Sequence, residues 1–424
     1  MRKFYLVSLL ASVWLLAAVS ATAQTSYFTK QVIIVNGGNY SDPDDYVTVA
    51  AYDPVSGETT EFATIYTQSV QDVLIVPPYA YVAAQDSIVL LNIDTYEKLA
   101  SVEAQGVHQL VANDDVLVAS FWYPVTANFV RTYNLSDLLP QHVFSEISDE
   151  AAGMMVIEGN YLFVAIPGTY GSTTGKIAVI DLASNIVMDE DDFGEFFAGV
   201  GYFAMGSNHV NVFMKTPYGG NSFNVATLNF QGEVEEQYTY EDASLANEAG
   251  CIGQNIYLEI NNGIAEYSLA THEIVNPALV QPQVMSISAS VLDTVNHLIY
   301  LTTTDYYSTG AGFIYNMEGE DVGSFEAGIS AQAIAVDYRA STGINENFLV
   351  KSLNIYPNPA STTIHLTGLD NSEVLSAEIM NVTGKVVYAG NDNKEIDISA
   401  FRAGVYFVSI HTANSVYTGK FIKN

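Results

Sequence analysis

The sequence predicts an all-β protein, a seven-bladed β-propeller followed by a small β-sandwich, and three observations carry that expectation. Between Gln31 and Arg339 the chain consists of short β-rich runs broken by Gly, Asn and Asp turns, with no sustained helical period. A four-strand unit recurs through that region. Its third strand closes each time on a polar landmark: Asp53, Asn92, Asn134, Asp181, Asn229, Ser268 and Asn316, at intervals of 39, 42, 47, 48, 39 and 48 residues. Self-similarity at about 40 to 50 residues is how radial β-repeats show themselves in sequence, and seven landmarks imply seven blades. Thirdly, the first landmark is preceded by too few strands for a full blade, while Ala331 to Asp337 reads as a blade's first strand with no successors. That strand is expected to complete the N-terminal blade and close the ring, removing exposed sheet edges. A pair of β-sandwiches or an open β-solenoid is the competing account of the same strands.

The elements are taken in chain order. Arg2 and Lys3 precede a mainly apolar run from Phe4 to Val19, and Ala21-Thr22-Ala23 follows it. This is the pattern of a secretory signal peptide, residues 1–23, cut before Gln24. The run is short for a membrane anchor, and no later stretch approaches the about 18 consecutive apolar residues of a spanning helix. Residues 24–339 are assigned to the propeller, 340–350 to a linker and 351–424 to the C-terminal domain.

The formal net charge of −33 is concentrated in the ring: residues 24–349 hold six basic groups against 41 acidic ones, whereas residues 350–424 sum to zero. Such a field repels nucleic acid and anionic lipid and favours cationic partners or divalent ions, although solubility of an exported protein also accounts for it. Cys251 is the only cysteine, so neither a disulfide framework nor a lipid-bearing cysteine at the mature N-terminus is available. It is expected to be a small buried hydrophobe.

No spacing announces catalysis, and the ring is read as non-catalytic and without a cofactor. The histidines His108, His142, His209, His272, His297, His365 and His411 are scattered, none with a nearby His or Cys at metal-ligand spacing. Asp42-Pro43-Asp44-Asp45 and Asp189-Glu190-Asp191-Asp192 suit a hard cation by composition but lack the closing ligand of a calcium loop, and are read as solvated loops with no metal assigned.

More informative is the loop between the second and third strands, long and aromatic in five units. These loops carry Tyr40, then Trp122 and Tyr123, then Tyr170, then Tyr218, then Tyr306 and Tyr307, with glycines beside several of them. In a propeller equivalent loops emerge on one face, so these seven residues are the candidate ligand-binding set. Flat apolar faces with hydroxyl tips suit a sugar, a macrocycle or a protein partner. Mutual packing of the loops is the equal alternative.

Residues 351–424 carry Tyr356-Pro357-Asn358-Pro359, Gly384-Lys385-Val386-Val387-Tyr388, Gly404-Val405-Tyr406-Phe407-Val408 and Gly419-Lys420-Phe421-Ile422-Lys423. In that order they resemble the type A sorting domain of the type IX secretion system. The resemblance implies a Bacteroidetes-type source, the secretion machinery as partner, and delivery to the outer cell surface or the medium. The physical reading agrees: the prolines fix an extended entry, and the alternating runs suit a small sandwich.

Units such as Asp72-Val73-Leu74-Ile75-Val76 through Asn92-Ile93-Asp94-Thr95-Tyr96 give the ring a looser resemblance to YncE-like propellers. That group includes surface proteins that capture corrinoids and pass them to outer-membrane transporters, usually as lipoproteins. This chain departs from them in having no lipid-bearing cysteine. Together these readings describe a surface binding protein that takes a small-molecule or glycan ligand, or a partner such as an outer-membrane transporter, on one aromatic loop face. The alternatives are an adhesin or interaction scaffold without a small-molecule site, and an enzyme whose carboxylates or histidines converge only in three dimensions.

Overall fold

The computed structural model describes residues 26–340 except 40, 206–208, 218, 230–231 and 283–285, and residues 349–424 except 368, 370–373, 382–385, 391–394 and 413–414. The signal-peptide reading and most of the linker reading lie outside the described residues. The rest divides into two compact units, Tyr27–Arg339 and Ala340–Asn424.

The first unit is a seven-bladed β-propeller of seven four-stranded antiparallel sheets. Blades 2 to 7 each run through the sheet in sequence order, and their opening strands are Val70–Val76, Val107–Ala112, Met155–Glu158, Val200–Met205, Leu245–Ile252 and Ser286–Asp293. Burial falls from the middle of a blade to its rim. In blade 2, Tyr79–Ala84 and Ser87–Asn92 are buried on both faces, whereas Glu97–Glu103 is largely exposed. Acidic residues gather on such outer strands, among them Glu97, Glu103, Glu235, Glu236, Glu273 and Asp321. Charge there discourages edge-to-edge pairing between molecules.

The polar landmarks have a common cause. Each ends a third strand or, for Asp53, directly follows it, and its side-chain oxygen accepts a backbone N–H from the turn that follows: Val55 on Asp53, Asp94 on Asn92, Ser136 on Asn134, Ala183 on Asp181, Glu233 on Asn229, Thr271 on Ser268 and Glu318 on Asn316. The turn needs a short acceptor at that point, and Asp, Asn and Ser supply it.

Blade 1 combines Ala331–Ala340 with Tyr27–Asn36, Val47–Tyr52 and Thr59–Ile65, so the ring closes by strand exchange between the two ends of the unit. Gly37 N donates to Ser330 O at 2.7 Å and Gly38 N to Ile329 O at 3.2 Å. A side chain at Gly38 would meet Asp45 O at 2.5 Å on a backbone of φ +75°, so the crossing requires glycine. Behind it Val32, Ile34 and Tyr52 pack with Tyr300, Ile314 and Phe325 of blade 7. A polar clasp completes the join. Arg339 donates to Asp337 at 2.6 and 2.9 Å and to Asp94 at 3.1 and 2.8 Å, Lys30 pairs with Asp94, and Gln31 Nε2 donates to Asp337 at 2.9 Å.

The second unit has a five-stranded sheet ordered Leu349–Ser352, Ser415–Lys423, Gly404–Thr412, Val374–Asn381, Val386–Gly390, and a three-stranded sheet of Asn354–Tyr356, Thr363–Thr367 and Glu395–Asp397. Ile364, Leu366, Ile379, Val408, Ile410 and Phe421 fill the space between them. Asn358 explains part of its motif: Nδ2 donates to Lys420 O at 3.1 Å and Oδ1 accepts from Ile422 N at 2.9 Å, which pins the proline-flanked entry to the last strand.

Two expectations are corrected. Cys251 is exposed, because a register shift between Glu248 and Gly250 adds a residue to its strand and turns it outward. Asp189 to Asp192 form no loop but end the outer strand Ile186–Asp192 of blade 4, paired with Lys176–Asp181.

The clasp generates a prediction. Asp337 is 0% exposed, so Arg339→Ala leaves a buried carboxylate without its cation and is expected to cost about 3 kcal/mol in denaturant unfolding. Lys30→Ala, at a more exposed pair, is expected to cost under about 1 kcal/mol. Equal effects of the two would show that closure does not depend on the buried pair.

Candidate functional site

The innermost strands are irregular near their starts. Register shifts fall between Val70 and Asp72, Val107 and Leu110, Val200 and Tyr202, Leu245 and Glu248, and Ile287 and Ala289. The residues released from regular pairing include Gln71, His108, Gln109, Gly201, Asn247 and Ser288, and all six line one central cavity of about 330 Å³. Gly153 and Met154 of blade 4 and Gln332 of the closing strand complete the wall, so every blade contributes. Bulges re-aim side chains where a regular strand would point them elsewhere.

At this level four of the inner strands, those of blades 2 to 5, also hold the next blade. Asp72 Oδ2 accepts from Leu110 N at 2.8 Å, Gln109 Oε1 from Met155 N at 2.9 Å, and Met154 Sδ from Phe203 N at 3.4 Å. Tyr202 Oη donates to Ala246 O at 2.8 Å. The same rung therefore supplies both interblade bonds and channel lining.

The channel is rich in perturbed ionisable groups. Burial pushes Asp72 up to about 6 despite its two backbone donors, Val73 and Leu110. Burial, with the Lys215 charge adding to it, pushes His108 down to about 4, which keeps the ring neutral. Burial lowers Lys215 while the Glu259 charge opposes that shift; its Nζ donates to Asn247 Oδ1 at 3.4 Å and stands 5.0 Å from the Tyr202 ring centre. Asn247 Nδ2 in turn donates to Glu259 at 3.1 Å. Glu248 is pushed up to about 7 by burial alone, and no donor among the described residues reaches its carboxyl. His108 Nδ1, Ser288 Oγ and Ser290 Oγ are likewise buried without a protein partner.

The aromatic residues singled out from the sequence stand at separate stations. The Trp122 ring packs edge-on against His108, 5.1 Å between centres, while Tyr123 beside it is exposed. Tyr170, 90% exposed, lines a second cavity of about 710 Å³ together with Thr216, Pro217 and Lys215. Tyr306 and Tyr307 line a third, of about 290 Å³, with Gly38, Gln68 and Gln332. Tyr40 and Tyr218 lie outside the described residues. Among the described residues none of the five rings stacks on another, but His108, Lys215 and Gln332 each belong to the central cavity as well.

Sequence reasoning missed Asp72, His108, Lys215 and Glu248 as channel groups. The available signal was a charged residue interrupting a blade's first strand, as Asp72 and Glu248 do. It also missed that His209 and His272 come together, ring centres 6.4 Å apart, with Tyr238 stacked on His272 at 4.6 Å. No group of three or more His, Cys, Asp or Glu among the described residues converges as a metal site.

Residues 354–424 match the family model of the secretion system C-terminal sorting domain, so the chain carries the tail that marks type IX export to the cell surface or the medium and that engages the secretion machinery. No curated protein matches the sequence. Among solved structures, a hypothetical selenium-binding protein from Sulfolobus tokodaii is 10% identical, with TM-score 0.54 over 76% of this chain and 95% of that one. The periplasmic gluconolactonase of Pseudomonas aeruginosa is 9% identical, with TM-score 0.54 over 75% and 99%. PorZ of Porphyromonas gingivalis, described as an essential surface component of its type IX secretion system, is 13% identical, with TM-score 0.45 over 89% and 56%, so this chain spans little more than half of that protein. The first two show the fold alone.

The channel yields a pH prediction. Glu248 has its folded pKa raised from 4.5 to about 7, so its burden on stability is absent below the lower value, grows as pH rises between the two, and is constant above. Glu248→Gln is therefore expected to stabilise the ring by about 2 kcal/mol near pH 8, discounting the part of the carboxyl that faces solvent, and to change little near pH 4. Unfolding at the two pH values checks it; a pH-independent effect would contradict the burial of the carboxyl.

Proposed function

We propose that the ring is a non-catalytic surface binding module whose ligand sits at the mouth of the central channel, gripped by the aromatic loops. The observation that carries this reading is the channel itself. Glu248, His108 Nδ1, Ser288 Oγ and Ser290 Oγ belong to groups lining one cavity and have no partner among the described residues, and the described aromatic stations adjoin it through His108, Lys215 and Gln332. Buried polar groups left unpaired are costly, and a ligand that pairs them recovers that cost. Exposed aromatic faces supply the apolar contact that polar groups do not. Signal-peptide cleavage at Ala23 belongs to the same reading, since the type IX tail acts on a chain already moved across the inner membrane.

A second reading rests on the same convergence. A carboxyl with a pKa of about 7 is matched to general acid–base work near neutrality, and His108 and Asp72 line the same cavity. An enzyme acting on a small substrate is thus the one other function with a specific observation in its favour.

Replacing Trp122, Tyr123, Tyr170 and Tyr306 together by Ala is expected to weaken, by about tenfold or more, every compound that wild type binds in a ligand-observed NMR screen of sugars, amines and nucleosides. The circular dichroism spectrum should be unchanged. Undiminished binding would sink the aromatic-mouth reading. Chemical turnover of a bound compound, abolished in Glu248→Gln with binding retained, would favour the enzyme.

A further inference from the structure

Resting on the reading of the channel mouth as a binding site, we infer that the ligand is an organic cation: a protonated amine whose N–H groups reach Glu248 while its flat or apolar body lies against the aromatic loops.

Three independent features point the same way. The first is the tally of unused groups. Among the described residues Glu248 offers a carboxyl with no protein donor, and the unpartnered atoms of groups lining the same cavity are Ser288 Oγ, Ser290 Oγ and His108 Nδ1. A carboxylate only accepts, and hydroxyls and a neutral imidazole accept as readily as they donate, so the cavity calls for a ligand rich in donors.

The second is where the positive charge already is. Lys215 is the one Lys or Arg lining the cavity among the described residues, and it is engaged by Asn247, by the Tyr202 ring and by the charge of Glu259. It is therefore not free to neutralise Glu248; Asp72, a second carboxyl on the wall, has its oxygens held by the backbone N–H groups of Leu110 and Val73. An anionic ligand would meet Glu248 unshielded, and a neutral one would leave a desolvated carboxylate uncompensated. A cation pairs with it.

The third is the surroundings. The exposed rings of Trp122, Tyr123, Tyr170, Tyr306 and Tyr307 present negative π-faces, which attract cations. The ring region, with six basic groups against 41 acidic ones over residues 24–349, adds a long-range field that draws cations toward the mouth.

The pairing imposes a pH dependence. Of the titratable groups, Tyr202 of blade 5 and Cys251 on its own strand feel the Glu248 charge, Asp72, His108 and Lys215 line the same cavity from blades 2, 3 and 5, and Glu259 lies on the neighbouring strand. Glu248 titrates at about 7 in the free protein, and only its ionised form attracts the ligand. Affinity is strongest above that value and falls by up to about tenfold per unit below it.

The test is calorimetric titration of the full-length secreted chain with 2-phenylethylamine and with its neutral counterpart 2-phenylethanol, at pH 8 and pH 6. The expected result is saturable binding of the amine at pH 8, about tenfold or more tighter than the alcohol, weakened at pH 6 and resistant to added salt as a buried pair is. Glu248→Gln should erase the preference for the amine, and Glu248→Asp should restore part of it. Equal affinity for amine and alcohol, no binding of the amine, or a preference that survives in Glu248→Gln would each overturn the inference. If both compounds bind equally and the four-residue aromatic variant loses both, the binding mouth stands and only its charge selectivity falls.

Discussion

Everything at the centre of this molecule depends on one long-range pairing, that of Ala331–Ala340 with Tyr27–Asn36. Seven sheets in a row leave two raw edges and no enclosed axis. One strand carried across from the far end removes the edges and creates the axis. The joint is made of the same ingredients as any blade contact, apolar packing of Val32, Ile34 and Tyr52 on Tyr300 and Phe325, with an ionic clasp around Asp337 added on top. Its cost is entropic, since partners about 300 residues apart must meet, and folds dominated by such contacts form slowly.

The channel follows from that closure combined with local irregularity. An ideal inner strand would alternate between its two neighbours and show the axis little but backbone and small side chains. The displaced registers at Gln71, His108, Asn247 and Ser288 change this by turning polar groups inward at one level. The same level carries the bonds from Asp72, Gln109 and Met154 to the adjacent blades. Ligand contact and ring cohesion are thus properties of shared residues, and a change at one is felt by the other.

The architecture was legible in the sequence because its repeat has a local chemical cause. Asp53, Asn92, Asn134 and their counterparts recur because each turn needs a short side-chain acceptor, a demand that distant contacts do not alter. The unfinished blade was legible for a similar reason, since Ala331 to Asp337 has the pattern of a first strand and nothing to pair with downstream. The site was only half legible. Loop aromatics such as Trp122 and Tyr170 stand out by type, but their neighbours do not. Lys215 matters because it faces Asn247, 32 residues away, and Glu248 because no donor among the described residues reaches its carboxyl. Cys251 was misplaced for the reason that hid the channel: a one-residue shift inside a strand reverses which side chains point where, and composition does not record it.

The order of parts along the chain has a consequence for incomplete products. The strand that seals blade 1 ends at Ala340, and the sorting tail matched at 354–424 follows almost at once. A polypeptide interrupted anywhere upstream of Ala331 lacks the seal and the export address together. Rings left unsealed by truncation, with their bare sheet edges, consequently carry no ticket to the outside.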